Sequence, residues 1–199
     1  SQNNTLSNLG FVTSIKPPEA LFRKDSTYIY FYLKKANNNR FDGILGFASN
    51  EKTQKVEFNG FLDIELNNNL NYGEQLVINY KADGRDQQSL KVYTKLPYLF
   101  KTPLGLSLEL NIFKRDSSFS TTHQEARIHY QASPKANIFL GYKSYESSNL
   151  LEESNVGNSV EDFTARFFLG GLEYQISQNE KLFPVKSQLV LDTEIGERK

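Results

Sequence analysis

From residue 41 onward the chain alternates. Leu104, Leu106, Leu108, Leu110 and Ile112 are separated by Gly105, Ser107, Glu109, Asn111 and Phe113. Successive side chains of a strand point to opposite faces, so a period of two gives one apolar and one polar face. The pattern recurs at Val56–Leu66, Leu76–Ala82, Leu90–Leu96, Ala126–Tyr130, Ile138–Tyr142, 163–176 and Leu189–Leu191. With a first strand at about Phe41–Ser49 it predicts nine strands and almost no helix.

The breaks between these runs carry turn residues. Asp83-Gly84 suits a tight hairpin, and Pro97 and Pro103 close a ladder on either side of "YLFKT". From the fourth strand on, a short turn is expected to take turns with a longer polar loop: "PYLFKTPLG", "KRDSSFSTTHQ", "ASPKA", then "YESSNLLEESNVGNSVED". An up-and-down membrane barrel has short turns on one side and long loops on the other.

Two media could lie against the leucines. In a soluble sandwich they face a protein core and the polar residues face water. In a membrane barrel they face lipid, and the polar residues face the lumen. The polar face holds Glu57, Asp63, Glu65, Lys81, Lys91, Lys95, Glu109, Arg127 and His129. An ion-paired lumen and a solvated face would both carry that mixture. Tyr98, Phe100, Tyr142, Tyr145, Tyr174 and Phe183 fall near strand ends, where an aromatic girdle would place them. Tyr and Phe are also simply good strand formers.

Composition removes several classes. The 199 residues carry 23 basic and 23 acidic side chains, with no basic stripe, so no nucleic-acid partner is expected. There is no cysteine, hence no disulfide framework and no thiolate metal site. No apolar run reaches the roughly 18–20 residues of a membrane helix. The low mean hydropathy of −0.53 is compatible with barrel strands, half of whose residues are polar. Methionine is absent and Ser1 opens the chain, which fits a processed or excerpted segment.

Residues 1–39 read differently. A Pro17-Pro18 break precedes a strand with Tyr28, Tyr30 and Tyr32 on one face and Ile29, Phe31 and Leu33 on the other. A strand apolar on both faces fits a mixed globular sheet. The expected division is a soluble domain's C-terminal part over 1–39, with "KKANNNR" leading into a barrel portion over 40–199.

The order of several short pieces resembles the Omp85 superfamily, in the BamA/TamA-like branch and in a Bacteroidetes-type form. The pieces are Asn71, Gly73 and Glu74 in one turn, Pro97-Tyr98 ending strand four, Lys114, Asp116 and Ser117 after strand five, and Phe183-Pro184 before a strand ending in Ile195-Gly196. The resemblance covers nearly the whole chain, and each motif is weak alone. It implies an all-β fold: an antiparallel up-and-down transmembrane β-barrel, its N-terminal part of about nine strands, preceded by the end of a small α/β POTRA domain. The family's "RGF"-type loop motif is absent. An odd strand count cannot close as an ordinary bacterial barrel, so a fragment of a 16-stranded barrel is expected.

The resemblance further implies a bacterial outer-membrane location with the N-terminal segment in the periplasm. The implied function is assembly and insertion of outer-membrane proteins, with client β-strands templated at a weak barrel seam. Partners would be unfolded outer-membrane clients, accessory lipoproteins of an assembly complex and the lipid bilayer. The seam falls on strand one at Asp42, Gly43, Ile44, Gly46 and Phe47, whose glycines either weaken the strand or relieve crowding. Lumen-facing polar residues would be Glu57, Asp63, Glu65, Lys81, Lys91, Glu109, Arg127 and His129, and lipid-facing ones Leu104, Leu106, Leu108, Leu110 and Ile112. Alternatives are a two-partner-secretion translocator or passive pore on the same scaffold, and a soluble β-sandwich binding module.

No enzyme and no cofactor is expected. Of the two histidines, His123 is expected in a Ser/Thr-rich loop and His129 inward on a strand, a hydrogen-bonded wall residue. Glu152, Glu153, Glu161 and Asp162 lack the spacing of a calcium loop. The sequon at Asn3 carries little weight.

Overall fold

The computed structural model describes residues 12–36, 38–49, 56–83, 87–115, 119–149, 162–177 and 185–199. Asn3, Gly84, Asp116, Ser117, Glu152, Glu153, Glu161, Phe183 and Pro184 lie outside them.

Eleven antiparallel strands form two sheets. β1 (Val12–Arg23) and β2 (Ser26–Lys35) make a hairpin. β3 (Arg40–Ser49), β4 (Val56–Asn67), β5 (Gln75–Asp83), β6 (Gln87–Leu96), β7 (Leu104–Arg115), β8 (Phe119–Ser133), β9 (Ala136–Asn149), β10 (Phe163–Ser177) and β11 (Val185–Arg198) make one nine-stranded meander, each strand beside its sequence neighbours. The sheet is open, with β3 and β11 at its edges. After an odd number of antiparallel strands the two edge strands run in the same direction. The end near the β1–β2 hairpin is called proximal here, the other distal.

β1 was not expected, because Pro17 and Pro18 lie inside it. The ladder shifts register between Ser14 and Glu19, and the prolines, which have no N–H to donate, sit in that irregularity. Beside it Lys16 Nζ donates to Glu19 at 2.6 Å, and Tyr32 Oη donates to the other carboxylate oxygen at 2.8 Å.

The β7–β8 break is also shorter than expected. "KRDSSFSTTHQ" is largely strand, and three residues separate Arg115 from Phe119. His123 is therefore in β8, not in a loop. Hydroxyl and amide side chains do not interrupt a backbone ladder when both neighbours continue it. The long-loop alternation consequently reduces to the β9–β10 connection.

Residues paired across an antiparallel ladder share a face. Tracing the pairs from β3 to β11 puts Glu57, Asp63, Glu65, Lys81, Lys91, Glu109, Arg127 and His129 on one face. Leu104, Leu106, Leu108, Leu110 and Ile112 lie on the other. The polar face is sheltered over β7–β10, where Phe139 is 1% exposed and Ala165, Leu169, Ser107 and Ser147 are buried. The apolar face is open at many positions, with Phe47 and Ile195 each 79% exposed and Ile128, Leu140 and Phe168 also exposed, while Ala82 is buried on it. Exposed large apolar side chains thus recur along one face of the sheet.

Candidate functional site

The free edge of β3 is the first candidate. β4 pairs with β3 over ten residues without a register shift, so one side of β3 is regularly held and the other is unpaired. Phe41, Leu45 and Phe47 project from its apolar face, and Asp42, Ile44 and Gly46 share the polar one. A Cβ on Gly43 would come within 2.8 Å of Phe61 O, so this glycine relieves crowding. Gly46 is different: its Cβ would meet nothing closer than Asn59 O at 3.7 Å. Gly60 on β4, at φ 127°, brings β3 close, since a Cβ there would lie 1.9 Å from Ile44 O.

The polar face is cross-linked. Arg40 reaches Glu65 at 3.9 Å, which also accepts from Gln75 at 3.2 Å and Asn67 at 3.1 Å. Asn79 donates to Asp63 at 2.9 Å. Lys91 pairs with Glu109 at 3.4 Å, and Asn111 donates to the same carboxylate at 2.7 Å. Asn111 also lies 3.2 Å from His123 Nδ1, and the His123 ring stacks on Tyr145 at 4.4 Å. His123 Nε2 has no hydrogen-bond partner among the described residues, with Glu125 Oε2 at 4.0 Å. Arg127 donates to Glu125 at 2.5 Å, faces Asp192 at 4.0 Å and covers the Phe139 ring at 4.7 Å. Lys143 pairs with Glu194 across β10. Charges so placed satisfy one another; Glu125 and Lys143 are the most sheltered, and Arg40 and Lys91 remain exposed.

His129 lies in this network, with Nε2 2.8 Å from Ser107 Oγ and Nδ1 3.3 Å from Asn137 Nδ2. The Asn137 amide also points its Nδ2 at Glu173, at 3.4 Å. An amide N–H directed at Nδ1 leaves the imidazole proton on Nε2, donated to Ser107. In that tautomer Ser107 accepts from the imidazole.

Sequence reading missed Glu125 and Glu194, and set Lys143, Glu173 and Asp192 opposite the apolar positions of their strands without singling them out. The available signal was parity: each shares the odd or even phase of its strand's polar positions once register is known. Tyr145 was read as a girdle residue and is instead on the polar face, against His123. Tyr142 and Tyr174 lie on the apolar face, and Tyr98 and Phe100 in the β6–β7 turn.

At the proximal end, asparagines clasp the linker to the β4–β5 turn. Asn67 N donates to Asn39 Oδ1 at 2.8 Å, Asn67 Nδ2 to Asn38 O at 2.9 Å, and Asn39 Nδ2 to Asn69 Oδ1 at 2.8 Å. Lys35 reaches Asn71 at 2.8 Å. The turn folds around Glu74, whose carboxylate accepts from Leu70 N at 2.5 Å and Tyr72 N at 3.0 Å. Desolvation raises the pKa of Glu74, and backbone N–H groups of Leu70, Glu74, Tyr72 and Asn69 together outweigh it, holding the carboxyl below its ordinary value.

No family model and no curated protein sequence matches the chain. Among solved structures it is similar to the crystal structure of BamA from Haemophilus ducreyi lacking POTRA domains 1–3, with a TM-score of 0.50 at 15% identity. The match covers 96% of this chain and 40% of that one, so the chain spans well under half its length. At that identity the likeness is one of fold: an all-β antiparallel meander like the BamA barrel, seen here as an open sheet.

Proposed function

We propose that this chain is part of an Omp85-type outer-membrane β-barrel, of a Bacteroidetes-type BamA/TamA-like branch, that assembles other outer-membrane proteins. Residues 1–39 would be the end of a periplasmic POTRA domain and 40–199 the first part of the barrel. The apolar face meets lipid and the polar face lines the lumen.

The course of the apolar belt carries this reading. One hydrogen-bonded row runs Phe41, Ile64, Ile78, Val92, Leu110 and then Gln124, Ser144, Arg166, Glu197. It is apolar up to β7 and polar after it. A row nearer the proximal end is apolar from β7 on: Leu104, Tyr130, Ile138, Leu172, Leu191. The belt therefore crosses the ladder diagonally. Traced back from Ile195, the last belt residue on β11, the row reaches Leu66 on β4, where the apolar run extends ten residues further, to Val56.

That is about 1.4 residues per strand, a rise of about 4.9 Å for each strand spacing of about 4.8 Å. Such a belt is level in a membrane when the strands tilt roughly 45° from its normal, at the upper end of the range of outer-membrane barrels. On β7 it spans about 27 Å along the strand, roughly 19 Å along the normal, against a band about 25 Å tall. Phe58, Tyr80, Tyr142 and Phe168 lie toward its distal edge, and Phe41, Tyr130 and Tyr174 toward its proximal edge.

The assembly function rests on the BamA-like fold, with β3 as the candidate seam strand. An open edge accepts a further strand by backbone hydrogen bonding, with no covalent chemistry and no cofactor. Accessory lipoproteins would be the further partners. A photo-cross-linker at Ile44 in the whole protein, in cells making outer-membrane proteins, tests it. Adducts with newly made β-barrel precursors are expected; adducts confined to the protein's own strands or to lipid would overturn the assembly role in favour of a pore.

A further inference from the structure

Two proximal turns present apolar side chains that none of the described residues covers. In the β4–β5 turn Leu70 is 68% and Tyr72 63% exposed, and in the β6–β7 turn Phe100 is 91% exposed. Neither turn is slack. The first is built around the Glu74 carboxylate, with Gly73 N donating to Asn68 Oδ1 at 2.9 Å. The second is closed by Thr102, whose N and Oγ1 donate to Leu99 O at 2.9 and 2.7 Å. Phe100 and Lys101 are both left-handed, at φ 54° and 60°. Non-glycine residues held there are strained. A side chain kept exposed on such a backbone gains no packing inside the protein to offset that strain.

The position of the turns relative to the belt identifies the medium. On β4 and β5 the belt ends at Leu66 and Leu76, and on β6 and β7 at Leu96 and Leu104. Each turn starts within a few residues of those positions. Distally the strands run on past the belt through polar residues such as Gln88 and Lys114. The proximal β8–β9 hairpin likewise turns through polar Ser133 and Lys135. The headgroup layer on each side of a bilayer is roughly 5–8 Å deep, which a turn of this size does not clear. Lys101 follows Phe100 and Lys35 binds Asn71, so cationic heads stand beside the apolar tips. Aromatic side chains next to lysines suit the boundary between acyl chains and anionic phosphates.

We propose that the β4–β5 and β6–β7 turns are interfacial anchors, inserting Leu70, Tyr72 and Phe100 into the headgroup layer of the leaflet at the proximal end. This rests on the membrane reading above. The anchors fix the height and tilt of the β4–β7 segment, the part of the sheet next to the free β3 edge.

The test uses the whole protein reconstituted in vesicles of phosphatidylethanolamine and phosphatidylglycerol. The chain contains no tryptophan, so Phe100→Trp, Tyr72→Trp and Leu108→Trp each add a reporter to it. Lipids brominated near the headgroup, or near the chain end, quench the added emission by depth. The expected result is quenching of the Phe100→Trp and Tyr72→Trp variants mainly by the shallow bromines, and of the mid-belt Leu108→Trp variant mainly by the deep ones. If both turn variants emit as in water and neither bromine quenches them while Leu108→Trp is quenched, the anchors do not exist and the turns face water or protein. If Leu108→Trp is also unquenched, the membrane reading itself falls.

Discussion

The two halves of the nine-stranded sheet differ in how they are held. In β8–β11 the polar face contains packed apolar side chains: Phe139, Ala165 and Leu169 are buried there, and Arg127 lies over the Phe139 ring. Gly171 and Gly196 make room for the Phe139 and Phe167 rings on the neighbouring strands. In β3–β5 the same face holds amide–carboxylate pairs and, among the described residues, no buried large apolar side chain, and β3 is exposed along most of its length. On the opposite face, one row of residues is apolar in the first half and polar in the second. The difference teaches that register, not composition, makes the device. Each strand repeats the same alternation, but the belt moves along it.

The row that changes polarity offers the largest effect. Leu110→Lys places a charge in the belt, between its middle and its distal edge, and is expected to cost about 2 kcal/mol, between the midplane and interfacial costs of lysine. Gln124→Lys, its partner directly across the ladder, is expected to stay within about 0.5 kcal/mol. Urea unfolding in vesicles compares them. Equal costs would mean that both positions share one medium.

Glycine substitutions contrast the two halves next. An added Cβ at Gly171 would lie 2.3 Å from Leu191 O and 2.5 Å from the Phe139 ring. Gly171→Ala is expected to destabilise by about 1–3 kcal/mol through overpacking. Gly46→Ala meets open space and is expected to stabilise β3 by roughly 0.5–1 kcal/mol. Mobility of unheated samples on denaturing gels reads the first, and hydrogen exchange of β3 amides reads both.

Much of this was legible in the sequence. Strict alternation located the nine strands, and parity within each strand sorted the charged side chains from the leucines. Pro97 and Pro103 marked the limits of β6 and β7 because proline cannot continue a ladder. What was not legible needed register. Tyr145 was read by its nearness to a strand end, whereas its face depends on its partners His123 and Ala165. Glu125 and His123 were hidden in a Ser/Thr-rich stretch that reads as loop unless its partner strand is known to extend. The diagonal of the belt is invisible to any single strand. β1 was missed because two adjacent prolines normally exclude a strand and are tolerated at a bulge.

The smallest expected effect is a pH dependence at the β4–β5 turn. Glu74 has its folded pKa below the unfolded value. Its contribution is therefore complete above the unfolded carboxylate range, about 4.3, and is lost as pH falls through the lower folded value. Exchange protection of the Leu70 and Tyr72 amides should fall across that acid window, and Glu74→Gln should remove the dependence. Protection that is unchanged by pH would show that the carboxylate does not hold the turn.

The central claim is that the apolar face meets lipid. Partitioning of the 199-residue chain between detergent and aqueous phases, with circular dichroism on each, tests it most directly. The account predicts a β-rich species only in detergent. A monomeric β-rich species that is stable in plain buffer would contradict it, because Leu104–Ile112 would then be packed on protein.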